Sequence, residues 1–282
     1  MGTRFELAIV ADAATDVRRA SSASAQGYGR PPKPWRRQSA RAVDAEAVGE
    51  LALREVEDWH QRLTRFEPDS WLSHVNRTAA DEPVPLDDEV YSLFEDAIAV
   101  WRDSQGAFDI ARGHGAALSL DPGTRTLRFL DDRVSLDLGA IGKGHALDCA
   151  VRCLRAHGVT RALMQGGTSS GIAMGAPPDG TSWHIGVSSG SDSGEVAEVI
   201  DLADLSFSVS DDGSQPDAPG GRHIMDHRQA RGVRALQPSR RVVVIGPAAR
   251  LTDAWSTALV VLGEVPPAFP SGYAARFVGQ ER

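Results

Sequence analysis

The chain has 282 residues, of which 41% are hydrophobic, so it is long enough and apolar enough to bury a large core. Its formal net charge of −8 argues against nucleic acid as the main partner, because nucleic-acid binding needs a basic surface. No apolar run reaches the roughly 18 residues that a membrane helix needs. An anionic ligand would therefore have to be attracted by a local positive charge rather than by the molecule as a whole.

Hydrophobic periodicity predicts strands and helices along most of the chain. Alternating residues predict an edge strand over residues 3–10, and three-four spacing predicts helices over 43–63 and from Val90 to Trp101. Further strands are predicted around residues 128–138, 161–165, 172–174, 183–188, 196–202 and 241–245, and further helices over 145–157 and 251–263. The pattern is typical of an α+β protein with mixed sheets flanked by helices, in one large domain.

Two other segments bear on organisation and location. Residues 12–41 are rich in Ser, Gly, Pro and Arg, which predicts a disordered insertion. Met1 leads directly into the first strand pattern, so we expect no signal peptide, no membrane attachment and a cytoplasmic location. Cys149 and Cys153 lie four residues apart on a predicted helix, where we expect small core residues rather than a disulfide.

The run VSLDLGAIGKG, from Val134 to Gly144, joins an alternating segment to a glycine-rich turn that carries a lysine. Of the thirty basic residues only Lys33 and Lys143 are lysines, so a compact ammonium is retained here in an arginine-biased chain. An ammonium binds phosphate as a point charge. The alternative is a tight connection with a solvated Lys143.

A second pattern occurs in the apolar helix predicted over residues 251–263. Asp253 and Thr257 are four residues apart, so their oxygens share one helix face. A carboxylate and a hydroxyl suit Mg²⁺, which takes its remaining ligands from water, carbonyls and substrate phosphates. The alternative is that both are ordinary first-turn residues, with Asp253 facing the positive end of the helix dipole.

Together these residues carry a resemblance to the ApbE family of flavin transferases, the FAD:protein FMN transferases. The resemblance runs in order through MGTRFELAIV (1–10), RFEPDSWLSHVNR (65–77), GAFDI (106–110), LDLGAIGKGHALD (136–148), QGGTSSGIAMG (165–175), HIMDHRQARGV (223–233) and DAWSTALVVLG (253–263). It implies an ApbE-like, T-fold-related fold. It also implies FAD as a substrate and an acceptor protein with a target threonine.

The resemblance implies roles for particular residues. Ala107, Phe108 and Asp109 in the GAFD turn, with Asp137, are expected to contact FAD. Phe66 matches an aromatic position of the family, although its ring could equally join a core with Leu63 and Trp71, and Asp137 could equally cap the following turn. These alternatives remain open from the residues alone.

The implied reaction uses the two distant patterns together. Lys143 and the glycine turn would bind the FAD diphosphate, and the Gly142 carbonyl, Asp253 and Thr257 would hold Mg²⁺. A threonine hydroxyl would attack the phosphorus on the FMN side and expel AMP. His223 and Asp226 are candidates for accepting its proton, and His223 is also a candidate FAD contact.

Departures from the family pattern keep other functions open. Relatives commonly have an acidic or amide residue where Thr168 follows two glycines, and a T-S-G turn where this chain has SVSDDG (208–213). The alternatives are a protein of the same fold that binds or delivers FAD, and an FAD pyrophosphatase in which water replaces the threonine.

Overall fold

The computed structural model of the protein describes residues 5–10, 44–188, 196–211, 224, 226–228 and 240–278. Within these residues the helices are α1 (Ala45–Leu63), α2 (Trp71–Thr78), α3 (Asp88–Asp103), α4 (Gly142–Ala156) and α5 (Ala249–Leu262). The strands are β1 (Phe5–Ile9), β2 (Val84–Pro85), β3 (Leu118–Asp121), β4 (Thr126–Phe129), β5 (Ala162–Gly166), β6 (Ser170–Met174), β7 (Trp183–Ser188), β8 (Val196–Leu202), β9 (Ser206–Asp211), β10 (Arg241–Gly246) and β11 (Ala274–Val278). The predicted insertion over 12–41 lies outside the described residues.

The strands form three sheets. The largest has the order β1-β5-β6-β9-β10-β11, a smaller one has the order β2-β4-β3, and β7 pairs with β8 in a separate hairpin. All of these pairs in the described part of the chain are antiparallel. The predicted edge strand at the start of the chain is β1, which pairs with β5.

The six-stranded sheet separates two layers. Helices α4 and α5 pack side by side against one face, and α1 packs against α4 and β1. The opposite face is covered by the β7–β8 hairpin, through Ile185 and Ile200 packed with Phe207 and Val243. Because side chains alternate along a strand, Phe207 of β9 points to the hairpin while its neighbours Ser206 and Ser208 point to the helices.

Two long helices begin where their sequences provide a cap. Asp44 accepts a hydrogen bond from the amide of Ala47 at 3.2 Å, and Asp87 accepts one from Val90 at 2.9 Å. Each carboxylate satisfies an amide that has no partner within the helix. The predicted helices over 43–63 and 90–101 are therefore confirmed as α1 and α3.

The strand predicted around residues 128–138 is wrong beyond Phe129. Strand β4 ends at Phe129, and residues 134–138 are extended without joining a sheet. Leu136 instead exchanges two hydrogen bonds with the side-chain amide of Asn76, at 2.7 and 3.1 Å, and the Asp137 amide donates to the Ile110 carbonyl at 2.7 Å. An extended segment that buries every second side chain has the same alternation as a strand, so the pattern could not separate them.

Several short elements were not predicted. They include α2, which begins at the capping residue Ser70, and strands β9 and β11. Strand β9 alternates serine with apolar residues, which is the period-two pattern of a strand, but only Phe207 and Val209 are apolar, so the signal is short. Among the described helices, none combines the length and apolar character needed to cross a bilayer.

Candidate functional site

The turn that carries Lys143 lies against helix α5, which carries Asp253, although these two residues are 110 positions apart in sequence. The Lys143 ammonium lies 3.3 Å from Oδ1 of Asp253, and the Gly144 amide donates to Oδ2 of the same carboxylate at 3.1 Å. The Asp253 residue is only 2% exposed. A buried carboxylate needs such partners, because removing an unpaired charge from water is costly. The interpretation of Lys143 as a merely solvated turn residue is therefore wrong.

The same two helices are joined by a second carboxylate. Helix α5 has no capping side chain of its own at Ala248, and Asp148 of α4 accepts hydrogen bonds from the amides of Ala249 and Arg250 at 2.8 and 3.0 Å. Burial raises the pKa of Asp148, although these two amides act in the opposite direction. Each helix thus supplies an acceptor for amides of the other, which fixes α4 against α5.

Gly144 allows the close approach of these helices. A Cβ atom at this position would lie 2.1 Å from the carbonyl oxygen of Ala249 and 2.7 Å from Cα of Arg250. Both are backbone atoms and cannot rotate away. A glycine is therefore required here for packing, in addition to any role in the turn.

A row of hydroxyl groups lies beside Asp253. Ser208 of β9 donates to Oδ1 of Asp253 at 3.2 Å and accepts from Ser256 at 3.1 Å. Ser210 lies 2.7 Å from the Ser256 hydroxyl and 3.4 Å from that of Thr257. Sequence reasoning missed these serines, although their spacing of two residues in SFSVSD places them on one face of a strand.

The donor set around Asp253 fits magnesium. The Asp253 carboxylate and the Thr257 hydroxyl lie on one face of α5, and Gly142 is the first residue of the adjoining helix α4. Carboxylate, hydroxyl and carbonyl oxygens are hard ligands of the kind that Mg²⁺ prefers. The Lys143 ammonium already occupies a cationic position at this carboxylate, which shows that the site stabilises positive charge.

The turn itself is a poorer anion cradle than its glycines suggested. The Gly142 amide donates to Leu138 at 2.7 Å, the Gly144 amide donates to Asp253, and the His145 amide donates to Ile141 at 3.0 Å. These groups are satisfied inside the protein and are not directed at a ligand. The side chain of Lys143 is therefore the group of this turn that could bind a phosphate.

A second cluster contains Arg65, Phe66 and Asp137. Arg65 donates to Oδ2 of Asp137 at 2.7 Å, and its guanidinium carbon lies 4.3 Å from the centre of the Phe66 ring. Phe66 is 75% exposed, so the alternative of a core position with Leu63 and Trp71 is wrong. Asp137 also accepts from the Gly139 amide at 3.0 Å, as the capping alternative predicts. One oxygen of the Asp137 carboxylate therefore caps the turn, and the other accepts the hydrogen bond from Arg65.

In the GAFD turn the two apolar side chains face inward. Ala107 and Phe108 are buried in the main core. Asp109 accepts from the amides of Ala111, Gly113 and Gly115 at 2.7, 2.9 and 3.1 Å. Its carboxylate thus organises the loop that follows. Ala107 and Phe108 could contact FAD only through the backbone, and the three FAD contacts stay predictions.

Asp226 lies apart from the two clusters above, beside the loop that the Asp109 carboxylate organises. Both of its oxygens accept from the Arg228 guanidinium, at 2.8 and 2.9 Å, and this arginine holds the pKa of Asp226 below its usual range. A Cβ at Gly113 would lie 3.6 Å from Cβ of His227, so residues 226–228 pack against the loop held by Asp109. His223 lies outside the described residues. A catalytic role for either residue stays a prediction.

These clusters are linked through the backbone. Asp137 donates its amide to Ile110, beside Asp109, and residues 139–142 lead from Asp137 into the Lys143 turn. The chain thus forms a continuous wall from the Asp109 loop through Asp137 to Lys143 and Asp253.

Comparison with known proteins identifies the family of this chain. The model of the ApbE family matches residues 1–118 and 113–268. The chain belongs to the ApbE family. In sequence it is similar to the FAD:protein FMN transferase of Salmonella typhimurium, with 24% identity over 273 residues that cover 81% of this chain and 75% of that protein. It is also similar to that of Treponema pallidum, with 25% identity over 266 residues covering 79% and 73%.

Solved structures agree on the fold. The ApbE protein from Thermotoga maritima has a TM-score of 0.68 at 22% identity, covering 80% of this chain and 82% of that one. The Pseudomonas stutzeri flavinyl transferase ApbE has a TM-score of 0.68 at 23% identity, covering 84% and 83%. The predicted ApbE family and α+β fold class are confirmed, and the chain is an enzyme of this flavin-transferase family.

Proposed function

We propose that this ApbE family member transfers FMN from FAD to a threonine of an acceptor protein, releases AMP, and requires Mg²⁺. The observation that carries the proposal is the meeting of Lys143 and Asp253 at 3.3 Å beside the hydroxyls of Ser208 and Thr257. One cationic and one anionic group, side by side and next to hard oxygen donors, suit a diphosphate and its metal ion together.

Gly142, Asp253 and Thr257 would hold the metal. Bound Mg²⁺ would neutralise charge on the diphosphate and so stabilise the transition state of phosphoryl transfer. Once another cation compensates the charge of Asp253, this carboxylate no longer requires its ion pair with Lys143. The Lys143 ammonium, which is partly exposed, would then contact a phosphate oxygen.

Arg65, Phe66 and Asp137 would position the rest of the dinucleotide. The exposed Phe66 ring presents a flat apolar surface to a planar ring system. Asp137 could accept hydrogen bonds from a ribityl or ribose hydroxyl, because its carboxylate is also partly exposed. The Asp109 loop supports this wall from behind.

The proton of the attacking hydroxyl needs an acceptor. Asp226 is a weak base, because Arg228 lowers its pKa and occupies both of its oxygens. This favours His223 over Asp226 as the candidate base.

The test is an assay of AMP release from FAD with Mg²⁺, with and without a peptide that carries a threonine. We expect AMP and an FMN-modified peptide from the wild type. Asp253→Asn keeps the shape but removes the charge, and should lower Mg²⁺-dependent AMP release at least about 100-fold, because even outer partners of metal ligands contribute 10- to 100-fold. The exposed Asp179→Asn is the matched control, and thermal melting checks that both variants are folded.

Each other outcome has a defined meaning. Undiminished AMP release by the folded Asp253→Asn variant would refute the metal role. AMP release without peptide modification would identify an FAD pyrophosphatase. Intact, bound FAD under all conditions would identify an FAD-binding protein.

A further inference from the structure

A second group of potential metal ligands lies between helices α3 and α4. Nε2 of His145 is 3.6 Å from Sγ of Cys149, Sγ of Cys149 is 3.7 Å from Oε1 of Glu89, and Oε1 of Glu89 is 3.8 Å from Nε2 of His145. His145 and Cys149 are one turn apart on α4, and Glu89 is in the first turn of α3. Three different ligand atoms thus form a nearly equilateral triangle.

The size of this triangle matches a tetrahedral zinc site. Zinc binds sulfur at about 2.3 Å and nitrogen or oxygen at about 2.0–2.1 Å, so tetrahedral angles place two ligand atoms roughly 3.3–3.6 Å apart. The observed separations exceed this by no more than a few tenths of an ångström. An ion at the centre would need only small side-chain movements.

The environment of His145 suits a ligand. The residue is 0% exposed, and the Trp59 ring holds its imidazole in an edge contact with centroids 4.4 Å apart. Burial lowers the pKa of His145 to about 4, so the imidazole is neutral. Nδ1 has no hydrogen-bond partner among the described residues and can carry the proton, which leaves the lone pair of Nε2 directed at Cys149 and Glu89.

A cation already interacts with this group of residues. Arg152 approaches Oε1 of Glu89 to 2.6 Å and Sγ of Cys149 to 3.1 Å. Its side chain is 51% exposed, so it can rotate into solvent and vacate the position. The Arg152 guanidinium therefore occupies a position in which Glu89 and Cys149 would also stabilise a metal ion.

We infer that Glu89, His145 and Cys149 form a binding site for one zinc-class divalent ion, with water in the fourth position. The site is separate from the magnesium site and uses none of its residues. On binding, the S–H bond of Cys149 breaks as the sulfur–metal bond forms, and the proton leaves to solvent without any oxidation or reduction. The ion would tie the first turn of α3 to α4, the helix that carries Lys143.

The experiment uses the full chain, freed of metal with a chelator and transferred to chelator-free buffer. Titration with Co²⁺ should give a thiolate-to-cobalt charge-transfer band in the near ultraviolet that saturates at one ion per chain, and Zn²⁺ should abolish that band by displacement. Cys149→Ser should lose the band and weaken Zn²⁺ binding at least about 100-fold, more than outer partners of metal ligands usually contribute. Cys153→Ser, one turn further along α4, should leave both unchanged.

The outcomes distinguish this site from the proposed active site. Asp253→Asn should keep the cobalt band, which shows that the thiolate site is independent of flavin transfer. A wild-type titration without a charge-transfer band would overturn the inference without requiring any variant to fold. So would equal Zn²⁺ affinities of the Cys149→Ser and Cys153→Ser proteins.

Discussion

Replacement of Gly144 by alanine tests the proposal that α4 and α5 must approach closely to assemble the site. The new Cβ would lie 2.1 Å from the Ala249 carbonyl oxygen and 2.4 Å from its carbonyl carbon. Neither atom can move without shifting the start of α5. The helices would separate, and the hydrogen bond from the Gly144 amide to Asp253 would lengthen or break.

The magnitude follows from three contributions. Forcing an extra carbon into a packed interface costs about 1–3 kcal/mol. Loss of a hydrogen bond to a charged acceptor costs about 1.5–3 kcal/mol. Alanine returns about 1 kcal/mol through its higher helix propensity. We therefore expect Gly144→Ala to lower the free energy of unfolding by about 1.5–5 kcal/mol.

Urea denaturation measures this change, with Gly142→Ala as the control. A Cβ at Gly142 would meet only the Leu63 side chain, at an ordinary 3.7 Å, so this variant should be as stable as the wild type or slightly more stable. AMP release should fall with Gly144→Ala, because Lys143 would move relative to Asp253. Equal stability of the two variants would refute the close-packing argument.

Two further predictions concern the exposed aromatic ring and the buried imidazole. Phe66→Ala should weaken FAD binding, measured by flavin fluorescence, by about 0.5–1.5 kcal/mol with little change in stability. Leu130→Ala, which removes another exposed apolar side chain, should leave FAD binding unchanged. Equal effects of the two substitutions on FAD binding would contradict the stacking role. The pKa of His145 falls from 6.5 to about 4 on folding, so its contribution to stability is complete above pH 6.5 and is lost as pH falls toward 4. With a chelator present, His145→Phe should remove about 2 kcal/mol of the stability loss between about pH 7 and about pH 5, and an unchanged pH dependence in urea denaturation would argue against this.

Local patterns in the sequence were enough for the long helices and for the family. The three-four spacing and the capping aspartates of α1 and α3 are local properties, since a helix forms its hydrogen bonds within itself. The family motifs likewise predict that Lys143, Asp253 and Thr257 belong to one site. By contrast, the alternation over residues 134–138 predicts a strand, whereas the partners of this extended run are a side chain and a loop.

Local sequence patterns predict the four long helices, the α+β class and the two motifs that carry charge. Three features follow only from the folded structure. Asp253 is paired with Lys143 and Gly144, and Ser208 and Ser256 extend its hydroxyl environment. Glu89 forms a triangle with two residues of α4. The physical reason is that charge pairing and metal coordination depend on distances of a few ångströms between elements far apart in the chain, and no local periodicity encodes those distances.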